Sequence, residues 1–135
     1  MKDNMNTSKN ILVVDDDPAI LQALSLRLRA AGYDVITVNN GADALVLAET
    51  KTPDLIIADI WMPVGAGFSL AYRLNEAARD IPIIFLTASK KPGLKEGATD
   101  LGAAAFLEKP YEPEVLLATV SEVLEFPRRR LGATT

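Results

Sequence analysis

Ile11-Leu12-Val13-Val14-Asp15-Asp16-Asp17-Pro18-Ala19-Ile20 holds a strand, its end and the start of a helix. An unbroken run of apolar, largely β-branched residues fits a parallel strand covered on both faces, because a half-exposed strand would alternate polar with apolar positions. Three acids then stop the run. Asp17 is placed to cap a helix with Pro18 in its first turn, and Gly32 can end that helix. Between them, from Pro18 to Ala31, the residues Ile20, Leu21, Leu24, Leu28 and Ala31 recur on one side. A strand that feeds a helix this directly is one βα unit.

The same alternation recurs outward from this point. Strands are expected at Asn10 to Asp15, Asp34 to Val38, Asp54 to Asp59, Ile81 to Thr87 and Ala104 to Leu107. Helical spacing fills Ala42 to Lys51, Phe68 to Arg79 and Glu114 to Glu125. Lys90 to Leu101 completes the set, but Pro92, Gly93 and Gly97 lower its helix propensity, so this fourth helix is expected to be short or mobile. The order is (βα)5, and right-handed crossovers turn it into an α/β fold with a doubly wound five-stranded parallel sheet. Residues 1–9 read as a flexible N-terminal tail, 10–126 as the domain, and 127–135 as a helix stop and a frayed C-terminal tail. An effector domain is not expected.

Composition narrows the chemistry. The chain has 135 residues, 49% of them apolar, enough for a single core without disulfides or a structural metal. Lys and Arg number 14 against 18 Asp and Glu, and the net charge of −4 is unfavourable for a dedicated nucleic-acid binder. There is no histidine, which excludes Ser-His and Cys-His pairs, a His-ligated zinc and a phosphohistidine of the chain's own. The absence of cysteine agrees with a reducing compartment. No apolar run approaches the ~18 residues of a membrane span, and a cytoplasmic location is the expectation.

Ligands of an open α/β sheet bind outside the carboxyl ends of its strands. There the sequence places Asp15, Asp16 and Asp17 after the first strand, Asp59 at the end of the third, Thr87 at the end of the fourth and Lys109 after the fifth. Two carboxylates ~4 Å apart repel by about 4 kcal/mol at an effective dielectric of 20, so acids grouped at one edge call for a counter-ion. All-oxygen ligands suit Mg2+ or Mn2+ and argue against zinc. Asp17 has a structural account as a cap, Asp59 could be a turn residue, and Thr87 and Lys109 taken singly are ordinary. Together, a hydroxyl and an ammonium facing acids that hold magnesium form a site for a phosphoryl group.

The set Val14-Asp15-Asp16, Asp59-Ile60-Trp61-Met62-Pro63 with Gly67, Leu86-Thr87-Ala88, and Gly102-Ala103-Ala104-Ala105-Phe106-Leu107-Glu108-Lys109-Pro110 resembles the receiver domain of two-component response regulators, from about Ile11 to Glu125. The resemblance implies a flavodoxin-like sheet order of 2-1-3-4-5 and a stand-alone receiver like the chemotaxis regulators. It implies that Asp59 accepts a phosphoryl group from a histidine on a sensor kinase or histidine phosphotransfer protein. Asp16, Asp59 and the backbone carbonyl of Trp61 would ligate Mg2+ directly, with Asp15 acting mostly through water. Lys109 would pair with the phosphoryl oxygens, and the Lys109-Pro110 bond would be cis. Thr87 and Phe106 would be the switch pair. The face of the fourth helix, fifth strand and fifth helix would then meet a downstream protein target or a second copy of the chain. The chain would act on itself only, with neither nucleic-acid contact nor membrane insertion.

Some positions depart from the family pattern. Phe106 lacks a tyrosine hydroxyl, Gly65 and Ala66 replace the common Met and Asp, and Ala104 and Ala105 replace acids. Trp61 is bulky, and its indole is expected either to shield the modified carboxylate from water or to contact a partner. Three other readings stand beside the receiver. Asp15 and Asp17 could be the nucleophile and general acid of a haloacid-dehalogenase-like phosphohydrolase, although only Glu112, Glu114, Glu122 and Glu125 remain for its late acidic pair. Gly65-Ala66-Gly67 could open a nucleotide site, although Leu70 stands where the third glycine belongs. The chain could also be a phosphorylation-independent adaptor.

Overall fold

In a computed structural model, residues 8–59, 72–74, 76 and 80–132 are described. Five strands, β1 (Asn10–Val14), β2 (Asp34–Val38), β3 (Leu55–Asp59), β4 (Ile83–Thr87) and β5 (Ala105–Glu108), form one parallel sheet in the order β2-β1-β3-β4-β5. Helices α1 (Pro18–Ala30) and α2 (Gly41–Thr50) follow the first two strands. Residues 72–74 and 76 are helical and mark α3, the rest of the stretch expected from Phe68 to Arg79 lying outside the described residues. The last two helices are α4 (Leu94–Asp100) and α5 (Pro113–Glu125). This is the flavodoxin-like α/β arrangement that the resemblance implies.

Apart from Asn10, Asp59 and Thr87 at their ends, the inner strands are apolar because both their faces are covered. Ile11, Val13, Leu55, Ile57, Ile84 and Leu86 pack with α1 and α5 through Leu21, Leu24, Leu28, Leu116, Val120 and Val123. The alternate positions Leu12, Val14, Ile56, Ala58 and Phe85 meet Ala44 and Ala48 of α2, Leu74 of α3 and Ala98 of α4. The edge strands, each with one neighbour, are less enclosed: β5 is half-buried and most of β2 is exposed. Asp15, Asp54, Ile81, Pro82 and Ala104, included in the expected strands, lie just outside the ladder.

Local signals act as their chemistry dictates. Asp17 caps α1, its Oδ1 accepting from the Ala19 N–H at 2.9 Å, with Pro18 opening the first turn. At the other end Gly32, at φ +101°, takes the left-handed conformation that lets its N–H reach Arg29 O and the Tyr33 N–H reach Leu28 O. The fourth helix is short, seven residues, and starts after Gly93 rather than at Lys90.

The C-terminal residues need a correction. The expected frayed tail is folded back as far as residue 132: the Leu131 N–H donates to Ala103 O at 2.8 Å, and the Leu131 side chain packs against the core on the α2–α4 side. At the other end, Lys9 O accepts from the Asp34 N–H at 3.0 Å, which fastens the end of the expected N-terminal tail to the sheet.

Candidate functional site

The sheet order makes a switch point between β1 and β3, since the chain leaves β1 toward β2 on one side and β3 toward β4 on the other. The register pairs Val14 with Ala58, so the next residues, Asp15 and Asp59, emerge side by side at that crevice. On the far side of β3, Asp59 pairs with Leu86 and Thr87 with Glu108, which brings the ends of β4 and β5 to the same level. Residues from four parts of the sequence converge because parallel strands all end at one edge.

Lys109 supplies the central charge. Its Nζ donates to Asp59 Oδ2 at 2.9 Å and stands 3.9 Å from Asp15 Oδ2, and the three side chains are 19%, 6% and 1% exposed respectively. The Lys109 N–H donates to Thr87 O at 2.8 Å, fixing the residue to the end of β4. The Lys109-Pro110 bond is cis.

Asp15 is held by the backbone on two sides: its N–H donates to Val38 O at 3.2 Å and its Oδ1 accepts from the Asp17 N–H at 2.9 Å. Its Oδ2 is buried and has no hydrogen-bond partner. Burial pushes the Asp15 carboxyl up to about 7, the Asp17 N–H and the Lys109 charge pull against that rise, and the charge of the Asp59 carboxylate adds to it. Two carboxylates with an orphaned buried oxygen between them therefore lack positive charge even with Lys109 present. An oxygen-seeking divalent cation fits that deficit. Asp16, one residue on, is exposed, and among the described residues no set of three or more acids is gathered closely enough to ligate an ion without it rearranging them.

Thr87 is fully buried, and its Oγ1 accepts from the Ser89 N–H at 3.0 Å, so the hydroxyl proton is not committed by that contact. Phe106 is half-buried and packs beside the α2–α4 side of the core. Trp61, with its expected carbonyl ligand and shielding role, lies outside the described residues, as does the Gly65-Ala66-Gly67 run. Asp17 is occupied as a helix cap and exposed, and Glu122 pairs with Arg129 at 3.4 Å on α5, which disfavours the phosphohydrolase reading.

Two neighbours of the site were not anticipated. Tyr111 is half-buried against the α1–α5 side; burial pushes its phenol up, and the charges of Lys109, Asp59 and Asp15 all reach it. Its place directly after Lys109-Pro110 was the available signal. Lys90 Nζ donates to Lys109 O at 3.1 Å, tying the loop after β4 to the loop after β5. No sequence pattern announces that contact.

Comparison with known proteins bears on the family and the fold. Residues 11–121 match the model of the response regulator receiver domain. The chain is 38% identical over 117 residues to the alkaline phosphatase synthesis transcriptional regulatory protein PhoP of Bacillus subtilis, covering 87% of this chain and 49% of that protein. It is 40% identical over 116 residues to the DNA-binding dual master transcriptional regulator RpaA of Synechocystis, covering 84% and 48%. The chain thus spans about half the length of the curated relatives it matches. Among solved structures, chemotaxis protein CheY4 of Vibrio cholerae superposes with a TM-score of 0.77 at 36% identity, covering 87% of this chain and 99% of that one. A receiver domain protein of Methanospirillum hungatei gives 0.82 at 28%, covering 89% and 96%. With residues 11–121 matched by that family model and the sheet order β2-β1-β3-β4-β5 beside it, this chain belongs to the response regulator receiver domains.

Proposed function

We propose that the chain accepts a phosphoryl group from a phosphohistidine of a sensor kinase or histidine phosphotransfer protein onto Asp59, and signals by a change of shape at the α4-β5-α5 face. The observation that carries this reading is the Lys109 ammonium held between Asp59 and Asp15 at the switch point. Asp59 Oδ attacks phosphorus, the P–N bond to the donor imidazole breaks, and the electron pair leaves with the imidazole nitrogen, which takes up a proton. Lys109 neutralises phosphoryl charge as it shifts from Asp59 to the incoming oxygens.

The orphaned Asp15 Oδ2 and the all-oxygen donor set fit Mg2+ or Mn2+, with Asp15, Asp16, Asp59 and the Trp61 backbone carbonyl as the residues that would hold the ion. Bound there, the ion supplies positive charge against the phosphoryl oxygens. Thr87 keeps its hydroxyl proton for a phosphoryl oxygen, and a shift of Thr87 toward that oxygen draws in the loop that Ser89 and Lys90 fasten. Phe106, on the strand that pairs with β4, follows as the second half of the switch. The chemistry is performed on the chain itself, with no turnover of a separate substrate beyond loss of its own phosphoryl group.

A small acyl-phosphate donor with Mg2+ tests the reading. Wild type should gain the mass of one phosphoryl group, mapped to Asp59, and Asp59→Ala should not. A folded Asp59→Ala protein that is modified elsewhere in the site would overturn the assignment.

A further inference from the structure

We propose that Lys90 is a positioning residue for phosphoryl transfer: by holding the backbone carbonyl of Lys109 it sets the direction from which the Lys109 ammonium reaches the acceptor carboxylate. The proposal rests on the phosphoacceptor reading and adds a residue to its machinery. Lys109 stands one residue beyond β5, where the register with β4 has ended. Its N–H still reaches Thr87 O at 2.8 Å, and its own carbonyl accepts from Lys90 Nζ at 3.1 Å. The peptide planes on both sides of its Cα are thereby held, one by Thr87 and the other by Lys90 on the loop that Thr87 begins. Because each peptide is planar, fixing both planes fixes φ and ψ, and with them the direction of the Cα–Cβ bond. That direction matters greatly for a lysine, whose flexible four-carbon stem gives the ammonium many places to go. Here it goes to Asp59 Oδ2 at 2.9 Å, with Asp15 Oδ2 3.9 Å away.

The loop that carries Lys90 is itself tied down. Thr87 Oγ1 accepts from the Ser89 N–H at 3.0 Å and Ser89 Oγ accepts from the Lys91 N–H at 3.2 Å, so two successive turns closed by hydroxyls enclose Lys90. The first of them begins at Thr87, the residue whose carbonyl holds the Lys109 N–H. Thr87, Lys90 and Lys109 therefore close a ring, made of the loop backbone on one side and of two hydrogen bonds to Lys109 on the other. During transfer the Lys109 ammonium passes from Asp59 to the phosphoryl oxygens. A root held in place lets it do so by turning the stem alone, which keeps the charge within reach of the reacting atoms. Lys90 is exposed and its ammonium meets the Lys109 carbonyl, so its effect on the chemistry passes through Lys109.

Two measurements on wild type, Lys90→Met and Lys90→Arg test this; the position is exposed, so both variants leave the core untouched. In the first, resting protein labelled with 15N-lysine gives the ammonium resonance of Lys109, assigned by its absence from Lys109→Met. Exchange of its protons with water should be about fivefold faster in Lys90→Met, the scale that loss of one net hydrogen bond allows, and restored in Lys90→Arg, which still has a cationic donor for the carbonyl. In the second, modification by a small acyl-phosphate donor with Mg2+ is followed by intact mass. Its rate should fall by about fivefold in Lys90→Met and recover in Lys90→Arg, at low and high ionic strength alike. A fall confined to low ionic strength would make Lys90 an exposed charge that attracts the anionic donor, because such attraction is screened by salt, and would overturn the positioning role. An unchanged rate, or a Lys109 resonance indifferent to Lys90, also overturns it while leaving the phosphoacceptor reading intact. Absence of modification in folded wild type removes both.

Discussion

Asp15 is a carboxyl that folding takes out of water and sets beside a second carboxylate. Its value rises from 3.8 to about 7, so between those limits the native chain holds a proton that the unfolded chain has released. Stability in divalent-free buffer should accordingly fall as pH rises through that window and level off above it. Urea unfolding of wild type and Asp15→Asn in chelator checks the sign: the difference between them should shift in favour of the variant toward neutral pH. A difference that stays constant across the window would contradict the burial account. Lys109 opposes the same rise, so Lys109→Met should move the window upward. That variant also leaves Asp59 and Asp15 facing each other without their ammonium, and should lose about 1–3 kcal/mol in urea unfolding at neutral pH without metal, as well as accepting phosphoryl groups more slowly.

At the scale of elements, the β1–α1 junction shows how adjacent acids divide their roles. Asp15 points into the crevice, whereas Asp17 two residues later spends its carboxylate on the Ala19 N–H at 2.9 Å. Asp17→Ala should therefore destabilise the fold by about 1 kcal/mol while the rate of acyl-phosphate modification, measured by intact mass, is unchanged. Lost modification in a folded variant would instead give Asp17 a part in the chemistry. The helix boundaries were legible here because capping and the left-handed turn at Gly32 are local properties of a few residues. The inner strands were legible because burial on both faces writes an unbroken apolar run, while β2 and β5, at the edges, are marked less clearly. The folded-back C-terminal segment is illegible for the opposite reason: Leu131 is a single apolar residue after three arginines, and its partner Ala103 is distant in sequence. Lys90 shares that character, since its contact with Lys109 arises only once β4 and β5 lie side by side.

Over the whole molecule, the site is legible from sequence as a set but not as a geometry. Four acids, a hydroxyl and an amine at strand ends follow from the residue order, whereas the pairing of Val14 with Ala58 that sets Asp15 beside Asp59 is a property of the assembled sheet. That assembly concentrates negative charge at one edge of a chain whose net charge is already −4, and it leaves Asp15 Oδ2 buried without a donor. A divalent cation that binds only this arrangement has no equivalent partner in the unfolded chain, so binding adds to folding stability through mass action. At a concentration a hundred times its dissociation constant the gain is about 2.7 kcal/mol. Thermal unfolding with and without Mg2+ should show a rise in midpoint for wild type and a much smaller one for Asp16→Asn, where one exposed carboxylate at this edge is neutralised and the buried pair is kept. Equal stabilisation of the two would place the ion away from the switch point, because a cation held elsewhere on the surface would not register the loss of Asp16.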